Sequence, residues 1–192
     1  MGDNLESVDL GDGRSAIEIS AGQYNTCAIL DSGLVKCWGY NNYGQLGIGS
    51  TNQIGDGPNE MGNNLKIADL GDNITALSIE TSLYSVCAIL NTRDIKCWGY
   101  NGNGQLGLQN TTYQGQYQNQ MGDSLATLSF EDQMSVFKLS GGGLHNCAIL
   151  ENEELKCWGY NSYGQLGIGN TNQIGDEVNE MGNYLATTRL PT

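Results

Sequence analysis

Six cysteines are the residues of this 192-residue chain whose chemistry and spacing are most regular. They form three pairs whose partners are ten residues apart: Cys27 with Cys37, Cys87 with Cys97, and Cys147 with Cys157. Each pair brackets two short runs joined by three residues, and a hairpin with that loop places the two cysteines opposite each other. Opposed Cα atoms lie about 4.5–5.5 Å apart, which a disulfide can span. The spacing therefore predicts three disulfides, with buried reduced thiols and metal ligation as the alternatives.

Disulfides persist in oxidising compartments. Two N-glycosylation tripeptides agree with such a compartment, Asn73-Ile74-Thr75 and Asn110-Thr111-Thr112, although such tripeptides also arise by chance in an Asn-rich chain. We therefore expect a secreted or cell-surface glycoprotein that carries glycans at Asn73 and Asn110.

Other reactive residues form no catalytic set. His145 is the single histidine, and no Ser–His–acid combination accompanies it. The three glycines at 141–143 follow a strand pattern but precede no helix, so they do not predict a phosphate-binding loop. The chain is not expected to be an enzyme or to hold a cofactor.

Calcium is the best metal candidate, because Asp56 and Glu60 recur as Asp176 and Glu180. The second copy of this segment carries Gln116 and Gln120 instead. A weak site or none is the prediction, and we expect no structural metal ion.

The charge balance excludes two classes of partner. The formal net charge is −13, and the eight basic residues are scattered. Nucleic acid and anionic membrane surfaces both need clustered Lys and Arg. No run of 18 apolar residues is present, so membrane insertion is not expected.

Self-similarity at a fixed period organises the whole chain. The phrase MGDNL at Met1 returns as MGNNL, MGDSL and MGNYL at 60-residue intervals. Three repeats therefore cover 1–60, 61–120 and 121–180, and a partial fourth start covers 181–192, within a single repeat domain over 1–192. Because Met1 occupies the repeat's own Met position, the sequence can be a window of a longer chain.

Strands of period two dominate each repeat, and helical periodicity is absent. Alternation predicts a strand around Ile17–Ile19, followed by the cysteine-bearing hairpin. Its first loop ends in Gly33, which suits a left-handed position, whereas Arg93 and Glu153 stand there in the other repeats. A fourth strand is predicted from Ser7, Ile67 and Thr127 onward in the respective repeats.

The recurring string CAIL, a turn and then KCWGYNxxGQLG resembles the repeat of the regulator-of-chromosome-condensation family, and the match covers all three repeats. The resemblance implies an all-β fold of antiparallel four-stranded propeller-type blades. Residues that pack between or against blades would be Trp38, Trp98, Trp158, Gly39, Gly99 and Gly159. We expect Trp38 to fill the seam to the following blade. The family often has a histidine two residues before the first cysteine, a position held here by Asn25, Ser85 and His145, and we interpret His145 as structural.

Family members differ in function: they include nucleotide exchange factors, parts of ubiquitin ligases, receptor ectodomains and a bacterial enzyme inhibitor, so the fold does not choose among these functions. Guanine-nucleotide exchange is the least expected here, because it would use a full ring.

Three blades do not close a propeller, which needs four or more. A longer parent chain, a ring of several chains or an open filament would each cover the ends. The tail at 181–192 repeats the start of each unit, so it offers a surplus strand for pairing; Arg189 and Pro191 depart from the pattern of the other starts.

The favoured hypothesis is a non-catalytic extracellular repeat module for structural assembly, either a fibre subunit or part of a larger ring. It would self-associate through its terminal blades. The alternative is a protein- or glycan-binding propeller domain that uses the loops after GQLG; the residues of any binding site stay unknown.

Overall fold

Short strands make up the regular structure of the protein. The computed structural model describes residue 4, residues 6–128, residue 130 and residues 134–188. Ten strands lie in these ranges: β1 (Ala16–Ala21), β2 (Asn25–Leu30), β3 (Val35–Gly39), β4 (Ala76–Thr81), β5 (Ser85–Leu90), β6 (Ile95–Gly99), β7 (Thr127–Leu128), β8 (Val136–Gly141), β9 (His145–Leu150) and β10 (Leu155–Gly159). The helical segments in the same ranges are single 3₁₀ turns at Gly62–Asn64, Gln118–Gln120 and Gly122–Ser124.

Each repeat forms one antiparallel sheet. The strand orders are β1-β2-β3, β4-β5-β6-β7 and β10-β9-β8. In the first hairpin Cys27 lies opposite Cys37, and the same register recurs in the other two repeats. The structure joins each cysteine pair in a disulfide, with Cα–Cα distances of 4.1, 4.1 and 4.0 Å. These links tie the two central strands of every sheet together.

The outer strand of each blade comes from the start of the next repeat. Ile67 bridges Lys36, β7 pairs with β6, and Thr187 bridges Lys156. The tail therefore completes the third blade, and the expectation that it is free for a neighbour is wrong. The surplus copy is the first one, because residues 6–10 form no strand in the structure. Arg189 and Pro191 lie outside the described residues.

A buried lysine fastens this outer segment in every repeat. Lys96 Nζ donates to the carbonyls of Leu70 and Gly122 at 2.9 and 2.8 Å. Lys36 makes the equivalent pair of bonds, and Lys156 donates to the carbonyl of Leu185. One ammonium thus holds the start of its own repeat and the start of the next in the first two repeats. Burial lowers the pKa of Lys36 and of Lys96.

The core lies between blades rather than inside any one of them. One hydrophobic cluster combines residues of the first and second repeats, among them Leu46, Ile79 and Trp98. A second hydrophobic cluster combines residues of the second and third repeats, among them Leu106, Leu139 and Trp158. The predicted all-β architecture of antiparallel propeller-type blades is confirmed, and the three blades do not close into a ring.

The three hairpin loops share one left-handed position despite their different residues. Its φ is +78° at Gly33, +71° at Arg93 and +69° at Glu153. A side chain with a Cβ is strained there, by about 1–2 kcal/mol. The conflict seen in the sequence is thus real, and the hairpins tolerate it.

Replacing Arg93 by Gly is expected to stabilise the protein by about 1 kcal/mol, because glycine removes the left-handed strain. Chemical denaturation measures the change. The converse variant Gly33→Ala should destabilise, since an added Cβ would also lie 2.8 Å from Thr75 Cβ. A loss of stability in Arg93→Gly would contradict this reading of the loop.

Candidate functional site

The tryptophans of the second and third repeats each reach back to the repeat before them. Trp98 Nε1 donates to the carbonyl of Gln45 at 3.0 Å, and Trp158 Nε1 donates to that of Gln105 at 2.9 Å. Both indoles are completely buried. Trp38, in the first repeat, is partly exposed. The expectation that Trp38 fills the seam to the following blade is wrong, because Trp98 fills that seam.

Glycines let neighbouring backbones meet at each seam. A Cβ on Gly44 would lie 2.3 Å from the carbonyl carbon of Gly115, and one on Gly104 would lie 2.4 Å from the amide nitrogen of Asp176. The equivalent Gly164 has nothing within 4 Å of that position. All three have positive φ, from +70° to +80°. Gly164 therefore keeps the seam conformation without a following blade.

Equivalent apolar side chains differ in exposure between the internal seams and the outer sides of the first and third repeats. Ile79 and Leu139 are 1% and 2% exposed, whereas the matching Ile19 is 65% exposed. At the other end Ile149 is 36% exposed, although its counterpart Ile29 is fully buried. The same positions are thus buried inside the array and uncovered at its ends.

We call these surfaces the leading face and the trailing face. The leading face belongs to the first repeat and contains Ile19, Tyr24, Trp38 and Tyr40. The trailing face belongs to the third repeat and contains Lys138, Ile149, Tyr163, Gly164 and Gln165. Together they are the candidate functional site.

Tyrosines fill the outer part of the first seam. Tyr43 packs against Tyr84, Tyr100 and Tyr113 of the second repeat, with ring centroids 5.0, 5.1 and 5.5 Å apart. Tyr24 stacks on Tyr84 at 5.9 Å. Burial raises the pKa of Tyr43 and of Tyr100, which keeps the phenols neutral. Sequence reasoning missed this cluster, although the spacing of the tyrosines in successive repeats carried the signal.

In each loop after GQLG, a buried asparagine side chain forms hydrogen bonds with the loop backbone. Asn41 is buried; its amide donates to the carbonyls of Ser50 and Asn52, and its oxygen accepts from the amide of Leu46. Asn101 and Asn161 repeat this pattern. The loops also contact the preceding repeat, since Gln116 Nε2 donates to the carbonyl of Asn42 at 3.1 Å. They therefore belong partly to the seams.

The acidic residues considered for calcium bind their own loop instead. Glu60 accepts from the amides of Gly55 and Gly57 at 2.7 and 2.8 Å, and Glu180 does the same in the third repeat. Gln120 replaces the carboxylate in the second repeat with equivalent bonds. Among the described residues, no group of three or more His, Cys, Asp and Glu side chains could hold a metal ion.

The remaining predicted residues lie apart from one another. His145 opens β9 and pairs with Gly159 across the sheet, and burial lowers the pKa of its imidazole. Gly143 accepts a hydrogen bond from the amide of Leu83, so its carbonyl takes part in the second seam. Asn73 and Asn110 are exposed. Gly39, Gly99 and Gly159 have φ of +106°, +102° and +106°, and a Cβ on Gly39 would meet the carbonyl of Tyr24 at 2.4 Å.

Similarity to known proteins agrees with this geometry. The sequence profile of the regulator of chromosome condensation (RCC1) repeat matches residues 16–45 and 138–165. These stretches run from the first strand to the first two residues of GQLG in the first and third repeats. The first and third repeats are RCC1-type repeats.

Among the relatives of these RCC1 repeats is the ultraviolet-B receptor UVR8 of Arabidopsis thaliana, 28% identical over 82% of this chain and 32% of the receptor. A probable human E3 ubiquitin-protein ligase, HERC6, is 30% identical over 80% of this chain and 14% of the ligase. The chain thus spans about a third or less of these relatives.

Solved structures share the blade arrangement of the RCC1 repeats. Prp20p from Saccharomyces cerevisiae, described with its binding to Gsp1p and histones, has a TM-score of 0.65 at 18% identity, covering 91% of this chain and 38% of its own. Human WBSCR16 has a TM-score of 0.61 at 16% identity, covering 83% and 38%. Both likenesses concern the fold alone. No helix in the described part of the RCC1-repeat chain is long and apolar enough to cross a membrane.

The loop after GQLG that contains Glu60 in the first repeat is expected to change its structure in acid. The equivalent loop of the second repeat, which has Gln120 instead, is not. Backbone hydrogen bonds from Gly57 and Gly55 hold the pKa of the Glu60 carboxyl below its ordinary value of 4.5. Their stabilising contribution is complete above that value and is lost as pH falls through the folded pKa. NMR titration should show the amides of Gly55 and Gly57 shifting below pH 4.5.

The controls come from the chain itself. Gln120 does not titrate, so the amides of Gln116 and Tyr117 should stay in place over the same range. Glu60→Gln should abolish the shift in the first loop without opening it. An unchanged shift in that variant would show that another group titrates there.

Proposed function

We propose that this chain is a non-catalytic repeat module for structural assembly, whose leading and trailing faces receive further blades from a neighbour. The observation that carries the proposal is the contrast at equivalent positions. Ile19 is 65% exposed, whereas Ile79 and Leu139 are almost completely buried. Apolar side chains of a seam gain free energy only when the next blade covers them, at about 25 cal/mol per Å² of apolar surface.

Backbone geometry supports the same conclusion. Gly164 stays in the left-handed conformation that Gly44 and Gly104 use to meet a following repeat. The indole N–H of Trp38 also supports a neighbouring blade, because the equivalent N–H groups of Trp98 and Trp158 both donate to a carbonyl of the preceding repeat. A neighbouring blade on the trailing face would pack against Gly164, and one on the leading face would accept the hydrogen bond of the Trp38 indole.

The neighbour can be another copy of the chain or blades elsewhere in a longer protein. Repeats whose rotation closes form a ring, and those whose rotation does not close form a fibre. Self-association through the terminal blades belongs to this proposal, as do a secreted or cell-surface location and glycans at Asn73 and Asn110. The three disulfides support the location, because such links persist in oxidising compartments.

Binding of a protein or glycan ligand is the second candidate. The tyrosine cluster favours it, because Tyr24 is 51% exposed beside an aromatic group that can take apolar faces of a ligand. In that case the ligand would protect Tyr24 while Ile149 at the other end stayed open.

Oxidative footprinting of the particle isolated from its source tests the assembly proposal. Trp38 and Tyr163 should be as slow to oxidise as Trp98 in the native particle and should react rapidly in the isolated chain. The exposed Phe137 is the internal control, since it should react in both samples. Rapid oxidation of Trp38 and Tyr163 in the native particle would overturn the proposal.

A further inference from the structure

The two internal seams are of different chemical kinds. In the first, Tyr43 packs against Tyr84 and Tyr100. In the second, the residue at the position of Tyr43 is Asn103, whose amide donates to Gln173 Oε1 at 3.2 Å. One seam is therefore aromatic at this point and the other is polar.

The free faces carry the aromatic kind on both sides. Tyr163 stands on the trailing face where Tyr43 stands in the first repeat, and it is 87% exposed. Tyr24 and Tyr40 stand on the leading face at the positions of Tyr84 and Tyr100. The two faces thus carry the two complementary halves of the aromatic contact seen at the first seam. Faces exposed only to water would not need this complementarity.

Charge is complementary at the inner edge of the same faces. At the first seam Glu18 accepts from Ser78 Oγ and from the amide of Ile79, both at 2.8 Å. The third repeat has Lys138 at the position of Glu18, and its side chain is exposed. A first repeat seated on the trailing face would bring its own residue 18 to the place that Ser78 holds at the first seam, so the backbone position of Glu18 would lie beside Lys138. Opposite charges favour that pairing and disfavour the pairing of two like faces.

We infer that the trailing face receives the leading face of a second copy of this chain, with Tyr163 as the specificity-determining residue. In this joint Tyr163 packs against Tyr24 and Tyr40 of the second copy. Trp38 of that copy donates to the carbonyl of Gln165, as Trp98 and Trp158 donate inside the chain. The inference rests on the proposed function and names its partner.

The tail of the receiving copy stays in place at this joint. Thr188 donates its amide to the carbonyl of Leu155 at 2.8 Å and its hydroxyl to that of Leu166 at 2.8 Å. The corresponding residue of the incoming copy is Val8, which is 55% exposed and outside any strand. Residues 6–8 of the incoming copy therefore remain outside the seam, and the joint uses strands that are already complete.

Two copies joined in this way contribute six blades, within the range of about four to eight in which propellers close. A cyclic pair and a head-to-tail polymer contain the same joint. Particle size therefore reports whether the joint forms, and variants report which residues make it.

The test is the mass of the purified chain by sedimentation or light scattering over a range of concentrations. Assemblies of two or more 20.6-kDa chains are expected. Tyr163→Ala should weaken association at least about tenfold in Kd, because it removes aromatic contacts on the partner. Phe137→Ala is the matched control: its position is exposed even in the middle repeat, where Leu77 is 46% exposed, so association should not change.

A second variant separates blocking from misfolding. Gly164→Asn adds a side chain into open space at φ +74°, a conformation that asparagine tolerates. It should leave the melting temperature unchanged and abolish association, since Gly44 and Gly104 have no room for a Cβ at their seams. Gly13→Asn is its control, because Gly13 is equally open and Asn73 holds the same position at φ +60°.

A wild-type chain that stays monomeric at every concentration overturns the inference, as does association that Tyr163→Ala and Gly164→Asn leave unchanged. If the chain is monomeric while Trp38 is protected in the native particle, the partner is a different set of blades and the assembly proposal stands. If Trp38 is unprotected there as well, both fail.

Discussion

The rest of the structure is arranged around one contact, the hydrogen bond from the tryptophan indole of the second and third repeats to a backbone carbonyl of the repeat before it. It fixes the distance and the direction of stacking, because the indole must cross the seam to reach the carbonyl. Trp98 and Trp158 make this bond in full burial. Since no single blade encloses a core, the free energy of folding comes mainly from surfaces buried between repeats.

This dependence on neighbours explains how the chain can fold while its ends remain incomplete. The disulfide in each hairpin and the lysine that fastens the outer segment hold each blade together locally. What they cannot supply is a cover for Ile19 and Trp38 at one end or Ile149 and Tyr163 at the other. The same side chains that stabilise an internal seam are therefore available for association at the ends.

Much of the fold could be predicted from the sequence because the repeat imposes local rules. The ten-residue spacing of Cys27 and Cys37 and the three-residue loop determine one hairpin register, and the structure has that register. The sequence does not predict whether the tryptophan packs against the preceding or the following repeat, because the residue pattern is the same in both cases. The fate of the tail was also missed, because its similarity to Met1–Leu10 does not say which copy meets an existing edge. The structure assigns the edge to Thr187 and leaves the first copy over.

The candidate site was hidden for a related reason. The three repeats carry similar residues at equivalent positions, so the sequence does not distinguish them. The leading and trailing faces differ from the internal seams in the exposure of those residues, which only the structure gives. Tyr163 and Tyr43 look equivalent in the sequence, but Tyr43 packs against tyrosines of the second repeat whereas Tyr163 is exposed in the structure. The most direct test of the account is a side-chain-resolution image of an assembly of this chain. In such an image Trp38 Nε1 is expected within hydrogen-bond distance of the Gln165 carbonyl of a neighbouring copy. An assembly in which Trp38 faces solvent, or contacts another surface, would contradict it.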